Sequence, residues 1–62
     1  MAITKQEVIK LLKQGRDQWN SAIQLFVKIE YGKVFLRKDD GYVWVEAGQH
    51  LSEELLKLYG YI

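Results

Sequence analysis

The chain has 62 residues, 48% of them hydrophobic and 27% charged, with no proline and no cysteine. A chain this short holds one domain and little more than one layer of helix on one sheet, which leaves no room for a deep catalytic cleft. Nine Lys and Arg against eight Asp and Glu leave a formal charge of +1, so neither a strong pull toward nucleic acid nor an acidic surface mimicking DNA is implied, and without cysteine there are no disulfides, thiolate metal sites or thiol chemistry.

No apolar run approaches the roughly 20 residues of a membrane span. The start, MAITKQEVIK, lacks the apolar stretch of a signal peptide. The expectation is a small, soluble, unprocessed protein of the reducing cytoplasm, one domain over residues 1–62. A core this small only just offsets the conformational entropy of the chain, so self-association or a bound partner would help.

The first helix begins at ITKQEV. Thr4 can cap the free amides, Glu7 can reach back to it, and Ile3 can pack on Val8 as a hydrophobic staple. Val8, Leu11, Leu12, Gly15 and Trp19 then recur at helical spacing, with Lys5, Lys10, Lys13, Gln14 and Asp17 off that stripe. The spacing predicts a helix over 5–19, with Gly15 either ending it or sitting inside the stripe where the backbone nears a sheet. Trp19 keeps the register, which favours the second placement.

After Asn20 and Ser21 the period changes to two. Ile23, Leu25, Val27, Ile29 and Tyr31 alternate with Ala22, Gln24, Phe26, Lys28 and Glu30, the pattern of a long amphipathic strand. Tyr31-Gly32 serves as a tight turn, and Asp40-Gly41 is a strong two-residue hairpin signal because both residues tolerate positive φ. Two-residue turns at these places pair Ile29 with Val34, Val27 with Leu36, Leu36 with Val45 and Val34 with Ala47, all aliphatic. A three-residue loop at Asp39-Asp40-Gly41 would instead set Val34 beside Glu46 and mix a core row with a charge. The favoured register puts Ile23, Leu25, Val27, Ile29, Val34, Leu36, Val43 and Val45 on one sheet face. Phe26, Lys28, Glu30, Lys33, Phe35, Arg37, Tyr42, Trp44 and Glu46 fall on the other.

In HLSEELLKLYGYI, Ser52 is a candidate cap, Glu53 and Glu54 suit the positive end of the helix dipole, and Gly60 suits a helix stop. A short helix over 52–59 follows. The fold class is therefore α+β: a three-stranded antiparallel meander in the order 1-2-3, with an N-terminal helix on its aliphatic face and a short C-terminal helix.

Parts for catalysis are few. His50 is the only histidine, and just before a helix start it reads as an exposed loop residue rather than a base or metal ligand. Asp39 and Asp40 are explained by turn chemistry, Ser21 and Ser52 by capping, and no phosphate-binding GxxxxGK[ST] loop occurs. The expectation is a protein that is not an enzyme, with no catalytic residues, metal, cofactor, small-molecule substrate or membrane.

The order helix, three strands, helix resembles the double-stranded-RNA-binding domain in layout and length. That family starts its second helix with Lys-Lys, whereas this chain has LSEELLK, acidic where phosphate would be gripped. The stretch LLKQGRDQWN, residues 11–20, resembles a leader found before bacterial pentapeptide-repeat arrays, and no repeats follow it.

The aromatic sheet face is the informative feature. Each buried aromatic is worth about 150–250 Å², so an exposed patch of four is large for a soluble monomer. The C-terminal helix could cover it, with Leu55, Leu56, Leu58 and Tyr59 forming a second small core. It could stay open for a partner protein or a second copy of the chain, through Phe35, Arg37, Tyr42, Trp44, Phe26, Lys28 and Lys33. Or Phe35, Tyr42 and Trp44 could stack on bases while Lys28, Lys33, Arg37 and Lys38 neutralise phosphates; strong salt-dependent binding usually rests on about 6–10 phosphate contacts, more than this face supplies. The leading expectation is the second: a small non-catalytic interaction module, accessory or inhibitory, that binds a protein or itself, with nucleic-acid binding through the same face as the alternative.

Overall fold

A computed structural model describes residues 3–62 and places, in chain order, helix α1 (Lys5–Lys13), strands β1 (Gln18–Asn20), β2 (Leu25–Glu30), β3 (Lys33–Arg37) and β4 (Val45–Glu46), and helix α2 (Gln49–Leu58). The class is α+β, with the strands in one antiparallel sheet of order β1-β2-β3-β4. The expected meander is β2-β3-β4, and β1 is an added strand on its near edge.

Thr4 caps α1 as expected: its Oγ1 accepts the Glu7 N–H at 3.1 Å. The helix does not run to residue 19. Gly15 adopts φ +84, its N–H donates to Leu12 O at 3.0 Å, and the Arg16 N–H donates to Leu11 O at 3.0 Å. This double bond back onto the last turn is the Schellman stop, which favours glycine because a left-handed residue with a Cβ is strained. Trp19 therefore lies on β1, not on the helix. Past Asn20 the chain turns again, with Asn20 Oδ1 accepting the N–H groups of Ala22 (3.0 Å) and Ile23 (3.3 Å), so the second strand begins at Leu25 rather than at residue 22 or 23.

The β2–β3 hairpin matches its prediction. Tyr31 (φ +54) and Gly32 (φ +72) are both left-handed, the conformation of a two-residue hairpin turn that follows strand twist. Val27 faces Leu36 and Ile29 faces Val34. The β3–β4 ladder also has the expected register, Leu36 facing Val45 and the Ala47 N–H donating to Val34 O at 2.8 Å. Its turn is a different one. The Gly41 N–H donates to Lys38 O at 3.1 Å, with Asp39 and Asp40 between, and the left-handed glycines are Gly15, Gly32 and Gly60, so no left-handed Gly41 closes an Asp40-Gly41 hairpin. A ladder running straight on from the observed turn would set Leu36 opposite Val43; the actual ladder sets it opposite Val45. Tyr42 and Val43 are the surplus, extruded to 96% and 73% exposure.

Both helices pack on the aliphatic sheet face, α1 against β1 and β2, α2 against β3. The core is Leu12, Val27, Ile29, Val34, Ala47, Leu55 and Tyr59. Leu36, expected at its centre beside Val27, is only partly buried, and Val34 takes that place. Buried Asn20 donates from Nδ2 to Tyr59 Oη at 2.9 Å, which ties β1 to the end of α2. That helix starts at Gln49 behind Gly48, without a side-chain cap. Ser52 lies inside it, its N–H donating to Gly48 O at 2.8 Å, so it is not the cap, and His50 stands in the first turn rather than in a loop. Gly60 (φ +77) stops α2 as expected, by the same double bond as Gly15: Gly60 N–H to Lys57 O (3.1 Å) and Tyr61 N–H to Leu56 O (2.8 Å).

Candidate functional site

The helices occupy one sheet face, so strand alternation leaves the other face to Trp19 of β1, Phe26 and Lys28 of β2, Phe35 and Arg37 of β3, and Trp44 on the approach to β4. Leu55 and Tyr59 of the C-terminal segment are buried in the aliphatic core, which overturns the placement in which that segment covers the aromatics.

The side chains of this face interleave. Trp19 and Phe26, cross-strand partners, meet edge to face with centroids 5.0 Å apart. The Arg37 guanidinium lies 4.5 Å from the Phe26 ring centre and 5.3 Å from that of Trp44. Lys28 Nζ lies 4.5 Å from the Trp44 ring centre and 5.7 Å from that of Phe35. Ring and cation thus alternate across three strands, each cation shared by two rings. Such contacts contribute about 0.5–1 kcal/mol each at exposed sites and more where water is excluded. The side chains of Lys28 and Arg37 are both only 21% exposed, so they lie along the sheet with their stems packed.

Ion pairs trim the charge. Asp17 Oδ2 is 3.8 Å from Arg37 Nη2, Glu30 Oε1 is 3.7 Å from Lys28 Nζ, and Glu46 Oε1 is 3.8 Å from Lys33 Nζ. At these distances and exposures such pairs contribute little stability; they reduce net charge more than they hold the layer together. Arg37 also donates from Nη1 to Lys38 O (3.1 Å) and Gly41 O (2.8 Å), which binds the layer to the Lys38–Gly41 turn.

Of the predicted site residues, Phe26, Lys28, Phe35, Arg37 and Trp44 are brought together, with Arg37 over the Trp44 ring. Lys33 stands at the margin, opposite Glu30 in the ladder but ion-paired to Glu46. Tyr42 does not join them. It is extruded with Val43 and lines a groove of about 430 Å³ whose walls include Leu25, Leu36 and Val45 and which touches the site only at Arg37. Trp19 was missed, and the signal for it was the alternation Gln18-Trp19-Asn20 three residues after Gly15, a glycine able to stop a helix.

His50 is exposed in the first turn of α2, and Asp39 and Asp40 occupy the turn. Among the described residues, no three His, Asp or Glu side chains are grouped so as to hold a metal ion, and no helix is long and apolar enough to cross a membrane. The Tyr61 phenol is raised above its usual value by burial. No family model, curated protein or solved structure matches this chain.

Proposed function

We propose that the protein is a small, non-catalytic interaction module, accessory or inhibitory, that docks a partner protein on the sheet face formed by Phe26, Lys28, Phe35, Arg37 and Trp44, with Trp19 and Lys33 at its margins. One observation carries this reading: the sheet face opposite both helices holds rings and cations that fix one another in place. Trp and Arg are the side chains most often found at the energetic centres of protein interfaces. Side chains already ordered lose little further rotamer freedom on binding. The module needs no cofactor and turns over no small molecule, and its cysteine-free chain suits a reducing cytoplasm.

A protein is favoured over nucleic acid by what covers the rings. Base stacking needs free ring faces, and here Lys28 and Arg37 lie over those of Phe26, Phe35 and Trp44. Both cations are also partly neutralised, by Glu30 and Asp17.

The test compares capture from the native cell extract by the parent protein and by the Trp44→Ala, Phe35→Ala pair, followed by affinity measurements on whatever the parent retains. A partner protein anchored on the layer should lose about 2 kcal/mol or more with Trp44→Ala and respond weakly to salt. A folded double variant that retains every interaction of the parent overturns the reading, and a steep fall in affinity between low and physiological salt shifts it to nucleic acid.

A further inference from the structure

We infer that a second copy of this chain docks across the β4 end of the sheet, on a two-fold axis that seats Tyr42 of each copy in the apolar groove of the other. This surface shares only Arg37 with the aromatic layer, and four observations point to it.

The groove, about 430 Å³, is walled by Leu25, Leu36 and Val45 from the aliphatic sheet face and by the extruded Val43 and Tyr42, with Arg37, Lys38 and Gly41 closing its turn end. Knob and hollow therefore belong to one patch: Tyr42 is 96% exposed at the rim of the concavity. A two-fold interface needs such self-complementarity, because each copy offers the same patch.

The sheet edge beside the groove is unfinished. Residues 41–44 lie in no strand, although Tyr42-Val43-Trp44-Val45 is rich in residues that favour strands. β4 itself pairs with β3 through only Phe35–Glu46 and Leu36–Val45. Among the described residues no further strand follows β4 in the sheet order and both of its residues are exposed, so its outer edge can take an antiparallel neighbour.

The rim charges suit a copy. Lys38, Asp39 and Asp40 are exposed and form no ion pair among the described residues, and a two-fold axis can set Lys38 of one copy against the aspartates of the other.

The area is sufficient. An aromatic side chain buries about 150–250 Å², and Val43 and Val45 are 73% and 63% exposed. Counted on both copies with the groove walls, the total is on the order of the 1,000 Å² that marks a specific interface. That size fits a reversible dimer.

Sedimentation equilibrium over micromolar to millimolar concentration tests this. The parent should move from the 7.3 kDa chain mass toward twice that value as concentration rises. Val43→Asp and Tyr42→Ser, both outside the core, should remain monomeric with an unchanged circular dichroism spectrum. Phe35→Ala, on the opposite face, should keep the dimer, which separates this interface from the aromatic layer. Amide exchange on the parent needs no variant: protection at Tyr42–Val45 should rise with concentration. A parent that stays monomeric, a dimer that both variants retain, a dimer that Phe35→Ala dissolves while folded, or protection at Tyr42–Val45 independent of concentration would each overturn the proposal.

Discussion

The two hairpins of this sheet carry similar signals in sequence, a short turn ending in glycine between alternating strands, and they close differently. In β2–β3 the turn and the ladder agree: left-handed Tyr31 and Gly32 lead directly into Glu30 facing Lys33 and a ladder of cross-strand pairs reaching Phe26 and Arg37. In β3–β4 the chain reverses at Asp39–Asp40, one residue before the ladder register requires, and the two-residue surplus this leaves on the return strand is pushed out as Tyr42 and Val43. Register in the second hairpin is held by the aliphatic row Val27, Leu36, Val45 and by the Ala47 bond to Val34, not by the turn. A hairpin whose turn and row disagree keeps the row, because that row joins the core, and expels the mismatch to the surface.

The strongest test of this contrast puts the same substitution in each hairpin. Val27 is fully buried and Val43 is 73% exposed, although alternation assigns both to the aliphatic face. Val27→Asp buries an unpaired carboxylate, a loss of about 4 kcal/mol or more, comparable with the roughly 3–9 kcal/mol that holds a domain of this size together. The variant should be unfolded by circular dichroism. Val43→Asp should stay within about 0.5 kcal/mol of the parent in urea denaturation, measured at concentrations where the protein is monomeric. A folded Val27→Asp would refute the assigned face.

Next in size is the joint that holds α2 beneath β1 and the first hairpin. Tyr59→Phe leaves the buried Asn20 Nδ2 without the oxygen it donates to at 2.9 Å, and an orphaned buried donor costs about 1–3 kcal/mol. Asn20→Ala removes the donor, and also the acceptor that holds the Ala22 and Ile23 amides, so it should destabilise at least as much. Equal stability of Tyr59→Phe and parent would show that the joint contributes nothing.

The glycines discriminate the two turns directly. Gly32→Ala adds a Cβ that meets nothing within 4 Å at a φ of +72, so its whole cost is the left-handed backbone, about 1–2 kcal/mol. Gly41 does not lie in that region, and its added Cβ would touch Lys38 Cβ at 3.4 Å, an ordinary contact. Gly41→Ala should change stability by no more than about 0.5 kcal/mol. If the two alanines cost the same, the second turn is the Asp40-Gly41 type after all.

What sequence could and could not reveal divides along similar lines. The α+β class, the Thr4 cap, the β2–β3 turn and the register of both hairpins follow from local chemistry and from alternation, because a register slip would have set charges in the core. The end of α1 was ambiguous rather than hidden, since Gly15 could either stop the helix or sit inside its stripe, and helical spacing that carries on to Trp19 by coincidence favoured the wrong one of the two. The role of Asn20 was hidden: its partner Tyr59 is 39 residues away, and no local pattern encodes that bond. On the candidate site, alternation placed Phe26, Lys28, Phe35, Arg37 and Trp44 on one face, but the sharing of each cation between two rings depends on side-chain packing that alternation does not encode. Tyr42 was misplaced because alternation was carried through a segment that leaves the sheet.

The smallest expected effect belongs to the covered end of the molecule, where Tyr61 packs against the core and Lys13 Nζ lies 5.6 Å from its ring centre. Burial raises the Tyr61 phenol above its usual value of about 10. Below that pH the phenol is protonated in both folded and unfolded chains, and its burial as a neutral group is fully favourable. Above it the unfolded chain gives up the proton first, so the unfolded state binds fewer protons and stability falls as pH rises toward the folded-state value. Tyr61→Phe keeps the ring and removes the titration. Lysines and other tyrosines titrate in the same range, so the readout is the difference between parent and variant in urea midpoint: constant up to about pH 10, then moving in favour of Tyr61→Phe as pH rises further. A difference that stays constant through that range would place the Tyr61 hydroxyl in water and leave only its ring at the edge of the core.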